Sequence, residues 1–157
     1  MTILDLKDLE THLGTKKRIL SIDHGTKTLG LALSDESWIV ATPLKTIKRT
    51  KFKSDLAALN TLITEHEVGA LVIGLPLNMD GSEGPRCQSV RDFARNLVEK
   101  TDLNLPICFW DERLSTSAVE RFLIDEVDMS RKKRAEVVDH LAALHILQGA
   151  LARLSAV

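Results

Sequence analysis

No apolar run in this chain approaches the roughly 20 residues needed to cross a bilayer, so no membrane is expected among its partners. The opening stretch, MTILDLKDLE, is acidic where a signal peptide would be basic and then apolar, and a cytoplasmic protein is expected. Cysteine is scarce. Cys87 and Cys108 have neither metal-site nor CxxC spacing, which leaves two inert thiols in a reducing compartment. A dominant charge sign is also missing: the net charge is −1, so no global field would draw the chain onto nucleic acid. There is no GxxxxGK[ST], no GxSxG and no HExxH, and Asp80-Gly81-Ser82-Glu83 lacks EF-hand spacing. Internal repeats and low-complexity segments are absent as well.

What is present is ordinary in bulk. The 157 residues are 44% hydrophobic and 27% charged, the proportions of one globular domain with a sizeable core. The charge is uneven, however. Lys45, Lys48, Arg49, Lys51 and Lys53 crowd one stretch, and Arg131, Lys132, Lys133 and Arg134 are consecutive. Glu120, Asp125, Glu126 and Asp128 form an acidic stretch between them. Basic clusters of this kind are either phosphate contacts or solvated surface.

The apolar pattern sets the order of elements. Ile3, Leu6, Leu9 and Leu13 have a loose helical spacing that ends at Gly14, so residues 1–17 read as an amphipathic extension. Two apolar runs joined by His24-Gly25-Thr26-Lys27 predict a hairpin, and a third strand is expected over 38–50, with Pro43 marking an edge or bulge. A helix over 56–67 ends at Gly69, a short strand covers 70–73, and Pro85 opens the next helix. A strand over 107–110 closes on Asp111-Glu112. Capping-box spacing at Ser117–Glu120 starts a helix, and a last helix spans about 133–154. The expected fold is α/β, a mixed five-stranded sheet with a three-stranded antiparallel meander, two further strands and helices on both faces.

Three acidic positions fall where such a fold exposes carboxylates: Asp23 at a strand end, Asp111-Glu112 at another, and Asp139 in the last helix. On a helical wheel Asp139 shares a face with Ala135, Ala142, Ala143, Ile146 and Ala150, so it should look toward the sheet. A buried carboxylate is costly unless it is paired or metal-bound, and oxygen-only ligands suit Mg2+ or Mn2+. Alternation along a strand turns His24 away from Asp23. It also sends Asp111 and Glu112 to opposite faces, and spacing alone does not choose which of the two joins Asp23. The Gly74–Gly84 loop, ahead of a helix N-terminus, offers backbone N–H groups as a phosphate cradle.

Three blocks resemble the YqgF/RuvX family of ribonuclease H-like nucleases: SIDHGTKTLGLALSD, VIGLPLNMDGSEGP, and DERLSTSAVERFL followed by KKRAEVVDHLAALHIL. The resemblance covers most of residues 18–150 and implies a ribonuclease H-like domain over 18–157. It implies metal-dependent cleavage of phosphodiester bonds in structured nucleic acid, with precursor 16S rRNA 5′-end processing favoured and a four-way DNA junction as the alternative substrate. A ribosome-assembly factor that binds RNA without cutting it is the reading from another class. By position, Asp23, Glu112 and Asp139 match the catalytic acids, with Asp111 beside them as a further metal ligand. Lys27 and Arg113 match phosphate contacts, and Arg131, Lys132, Lys133 and Arg134 are the basic run expected to meet nucleic acid. Many family members carry arginine where this chain has Thr28. Ribosome precursor particles are the implied partners, and either a monomer or a homodimer fits. Neutralising the 131–134 run should weaken RNA binding and flatten its dependence on salt; an unchanged salt slope would return that run to plain surface.

Overall fold

The computed structural model describes residues 2–102, 104–114 and 131–155, the side chains of Thr2, Leu114 and residues 131–140 excepted. The helix expected from Ser117 falls outside the described residues. Six strands form one sheet in the order β1-β6-β5-β2-β3-β4. They are β1 (Thr2–Leu4), β2 (Arg18–His24), β3 (Thr28–Ser34), β4 (Ala41–Lys48), β5 (Val68–Leu75) and β6 (Pro106–Asp111). The helices are α1 (Leu9–His12), α2 (Phe52–Glu65), α3 (Pro85–Lys100) and α4 (Arg131–Ser155).

The meander is as expected: β2 and β3 pair antiparallel, as do β3 and β4. Pro43 sits on the edge strand opposite Ala32, where the register shifts between Leu31 and Ala32. A missing N–H is harmless there. β5 runs parallel to both β2 and β6, so the sheet is mixed.

The expected strand count needs one correction. Residues 2–4 form a sixth strand, parallel to β6, with Ile3 beside Ile107. Only the stretch after it turns helical, as a short 3-10 turn (Leu6–Asp8) followed by α1. Three residues are too few to show a period, so a strand this short merges with the helical spacing downstream. A second correction concerns Gly69, which lies inside β5 rather than ending a helix. The left-handed residue after α2 is Glu67, at φ 52°. Gly69 is needed for space: a Cβ there would stand 2.0 Å from the Lys16 carbonyl oxygen.

Strand alternation divides the core between two faces. Leu20, Ile22, Leu29, Leu31, Leu71, Ile73 and Ile107 meet α2 and α3 through Leu59, Ile63, Val90, Phe93 and Leu97. Ile19, Ala32, Ala70, Val72 and Cys108 meet α4 through Ala143, Ile146, Leu147 and Ala150. The small side chains let α4 lie close to the sheet. The Ser21 hydroxyl, fully buried on β2, donates to the Ala143 carbonyl at 2.7 Å. Gly149 does the same work against β6, since a Cβ there would meet the Trp110 ring at 2.5 Å. Among the described residues no helix is long and apolar enough to cross a membrane.

Gly149→Ala should therefore force α4 off Trp110 and lower stability by about 1–3 kcal/mol, the usual range for overpacking. Chemical denaturation of the two proteins measures it, and an unchanged midpoint would refute the close approach.

Candidate active site

The site begins where β2 runs out. Leu20-Ser21-Ile22 is buried, and Asp23 is the first residue of the strand to reach partial exposure after Ile19. The chain then turns tightly, with the Gly25 N–H donating to the Thr28 carbonyl at 2.9 Å. Gly25 suits this turn because a Cβ would lie 2.9 Å from that same oxygen. Asp23 faces Gly30 across the β2–β3 pair. On its other side, the β2–β5 register carried one step past Ile22–Ile73 brings Gly74 alongside. Asp23 thus stands between two glycines, on a floor free of side chains.

Glu112 enters over Gly74. A Cβ on that glycine would fall 2.5 Å from Glu112 Oε1 and 2.5 Å from Ile146 Cδ1, so the space is already filled by the carboxylate and by α4. Glu112 is the first residue of the 3-10 turn that follows β6, and its side chain keeps the parity of Cys108 and Trp110, which face α4. It is hydrogen-bonded to Asp23. Burial, and then the nearby Asp23 carboxylate, push Glu112 up to about 8; the charge of Arg86 works in the opposite direction. At neutral pH, with no cation present, Glu112 therefore keeps its proton and donates it to Asp23.

Asp111 turns to the other side. Its carboxylate holds Arg113 through Nε at 3.0 and 2.9 Å, Nη2 at 2.6 Å and the backbone N–H at 3.0 Å, and this pairing keeps its carboxyl below the usual range. The choice that spacing left open is thus decided by parity: Glu112 meets Asp23, and Asp111 positions Arg113. Lys27 is exposed in the hairpin turn, and its carbonyl accepts from the Arg49 N–H at 2.8 Å. Asp139 lies on α4 one turn, about 6 Å along the axis, before Ala143. Arg131, Lys132, Lys133 and Arg134 make up the first turn of that helix. Side chains from 131 to 140, Asp139 among them, are outside the described set.

His24 lies on the opposite face, as alternation requires. Its ring packs against Phe93 at a centroid distance of 4.7 Å, and Arg86 donates to its carbonyl. Burial, with Arg49 and Arg86 close by, lowers its pKa to about 4, so the ring is neutral. Arg86 is the neighbour that sequence reasoning missed. The one signal for it was its place in the first turn of the helix after the glycine-bearing loop. That loop spends much of its hydrogen bonding on itself. Asn78 N–H donates to the Ser82 carbonyl, Gly81 N–H to the Asn78 carbonyl and Ser82 N–H to the Asp80 carboxylate. Fewer N–H groups are left for a phosphate than the sequence suggested.

A family model described as RuvX, Holliday junction resolvase, matches residues 17–153. The chain belongs to the RuvX family. A relative from Roseobacter denitrificans, named "putative pre-16S rRNA nuclease", is 54% identical over 154 residues, covering 98% of this chain and 94% of its own length. One of the same name from Paramagnetospirillum magneticum is 56% identical over 151 residues, covering 96% of each chain. Shared sequence with these RuvX relatives therefore reaches into the N-terminal segment that lies outside the three motif blocks. Among solved structures, RuvC of Thermus thermophilus in complex with a Holliday junction substrate covers 87% of this chain and 95% of its own, with a TM-score of 0.52 at 15% identity. At that identity the likeness shows the fold alone, and it agrees with the ribonuclease H-like sheet read from the RuvX sequence.

The pair at the centre fits a divalent cation. Its donors are oxygens only, and in the metal-free protein its two acids are held together by a proton that a cation can replace. Among the described residues no three acid, histidine or cysteine side chains cluster closely enough to hold a metal, so the described part of the site is a pair. The raised Glu112 carboxyl has a consequence for stability. Below the ordinary carboxylate value both folded and unfolded chains hold the proton, and the stabilisation is complete. It is lost as pH climbs through about 8, where the folded state must ionise as well. Glu112→Gln keeps a donor to Asp23 without the charge. In chelator near pH 8.5 it should melt higher than the parent by about 3 °C or more, with the gap closing toward pH 5. Equal melting curves at both pH values would show that the two acids do not press on each other.

Proposed function

We propose that this chain is a divalent-metal-dependent nuclease of the cytoplasm that processes the 5′ end of precursor 16S rRNA, with ribosome precursor particles as its setting. The observation that carries the reading is the contact between Asp23 and Glu112, two acids from the ends of separate strands brought together over Gly74. The names of the relatives, at over half identity across nearly the whole chain, support RNA as the substrate. The description of the matching family keeps a branched DNA junction in view as the alternative.

In this reading Asp23 and Glu112 hold the metal, with Asp139 joining them from α4. Mg2+ or Mn2+, when bound, supplies the positive charge that offsets the acids and polarises the phosphodiester. Asp23 stays fixed because its strand is hydrogen-bonded on both sides and the floor beside it carries no side chains to shift. Glu112 gives up its proton to solvent as the cation enters, so loading should strengthen with pH. Asp111 keeps Arg113 at the rim, where that guanidinium also reaches the Met79 carbonyl at 3.4 Å, and Arg113 and Lys27 receive the flanking phosphates.

Purified protein incubated with precursor 16S RNA and with a four-way DNA junction, each in Mg2+, Mn2+ and chelator, tests the proposal. Cleavage of RNA only with metal is expected, and Asp23→Asn, Glu112→Gln and Asp139→Asn should each abolish it. A binding readout runs beside it: millimolar Mg2+ or Mn2+ should raise the melting temperature of the parent and not that of Asp23→Asn. Cutting by Asp23→Asn at the parent rate, or an identical metal-induced shift in both proteins, would remove the site assignment. Junction cleavage with intact RNA would replace the substrate.

A further inference from the structure

A second feature lies just past the strand end, on the face of the sheet opposite Asp23. Beside His24 a groove of about 370 Å3 opens between the β4–α2 connection and α3. Three cations line it: Arg49, Arg86 and Lys100. Among the described residues the one carboxylate there, Asp92, is already engaged by Arg95 Nη2 and Gln88 Nε2, both at 2.9 Å. Among the described residues none of the three cations is in a salt bridge with a carboxylate.

The two arginines are fixed by backbone instead. Arg49 Nη1 donates to the Gly25 carbonyl at 2.6 Å, and Arg86 Nη2 donates to the His24 carbonyl. Each guanidinium carries five N–H donors, and these bonds use one terminal nitrogen of each, leaving donors for the groove. Lys100 is placed by the Phe52 ring, with Nζ 5.5 Å from its centroid. His24 forms part of the groove wall, with its ring against Phe93 at a centroid distance of 4.7 Å. His24, in the groove wall, directly follows Asp23 on β2, which places the groove next to the acids.

We infer that this groove is a phosphate-binding subsite that takes the sugar-phosphate backbone of a nucleic-acid strand as it passes from the Asp23–Glu112 pair around the end of β2. The inference rests on the nuclease reading for the identity of the strand. Guanidinium groups held in place by backbone carbonyls recognise phosphate oxygens, and contacts to phosphate carry no sequence information. The subsite gives the enzyme a grip on the chain separate from its grip on the scissile phosphate.

Anisotropy titrations of a short labelled RNA oligonucleotide across a salt series test this, in an Asp23→Asn background that prevents cutting. Each phosphate contact on a single strand contributes about 0.7 to the salt slope and roughly 5-fold in affinity near 0.1 M salt. Lys100→Gln should therefore weaken binding roughly 5-fold, and Arg49→Gln/Lys100→Gln roughly 10- to 30-fold with a slope shallower by about 1.4. Lys17→Gln, at the opposite end of β2, should change neither. Should loss of Arg49 unsettle the turn and lower the melting temperature, the exposed Lys100→Gln decides alone. A parental Kd and slope in the folded groove variants overturns the subsite, and so does an equal loss in Lys17→Gln. Groove variants that lose RNA while the unmutated chain cuts neither RNA nor junction would sink the nuclease reading and leave the subsite standing.

Discussion

Asp23, on β2, and Glu112, at the turn that ends β6, flank β5, and both reach the same spot on the face under α4. Two carboxylates in contact, shielded from water, cannot both ionise unless positive charge arrives from elsewhere. The surroundings of the pair follow from that requirement. Gly74 and Gly30 clear the floor beside Asp23, while α4 closes over Gly74 through Ile146. Arg86 supplies a partial offset from the opposite face. Gly74 thus makes room both for the Glu112 carboxylate and for the close approach of Ile146.

The rest of the fold keeps that contact from loosening. A mixed sheet covered on both faces fixes the strand ends to within the pleat, and the Ser21 hydrogen bond to Ala143 sets the height of α4 two residues before Asp23. Small residues at 142, 143, 149 and 150 bring the helix close enough for that bond to form. The division of labour between neighbouring acids has the same origin. Asp111 and Glu112 are consecutive, and that one step along the chain sends the first to Arg113 and the second to Asp23.

Charge on the two faces of the sheet is complementary. Acids gather on the α4 face, and unpaired cations gather around His24 on the α3 face, with Arg86 near the border. In the proposed reading, a polyanionic strand held at the acids with the help of cations would meet these cations around the end of β2. A net charge of −1 hides this arrangement, because the sum contains no information about sides.

Much of this was legible in the sequence, because its periods are local. Alternation over 18–34 gave the hairpin, Pro43 gave the edge, Pro85 gave a helix start, and the alanine stripe gave the face of the last helix that meets the sheet. The strand at residues 2–4 was hidden, because three residues have no period and its pairing with β6 joins positions about a hundred residues apart. Gly69 misled for a similar reason: it looked like a stop signal, while its role is to clear the Lys16 carbonyl. Residue order by itself established that Asp23, Asp111 and Glu112 end apolar strands and that His24 faces away from Asp23. Only tertiary structure could select Glu112 over Asp111 and bring in Arg86, since the first depends on which face α4 covers and the second on where α3 packs beside His24. That is a property of packing between distant segments, and no local pattern encodes it.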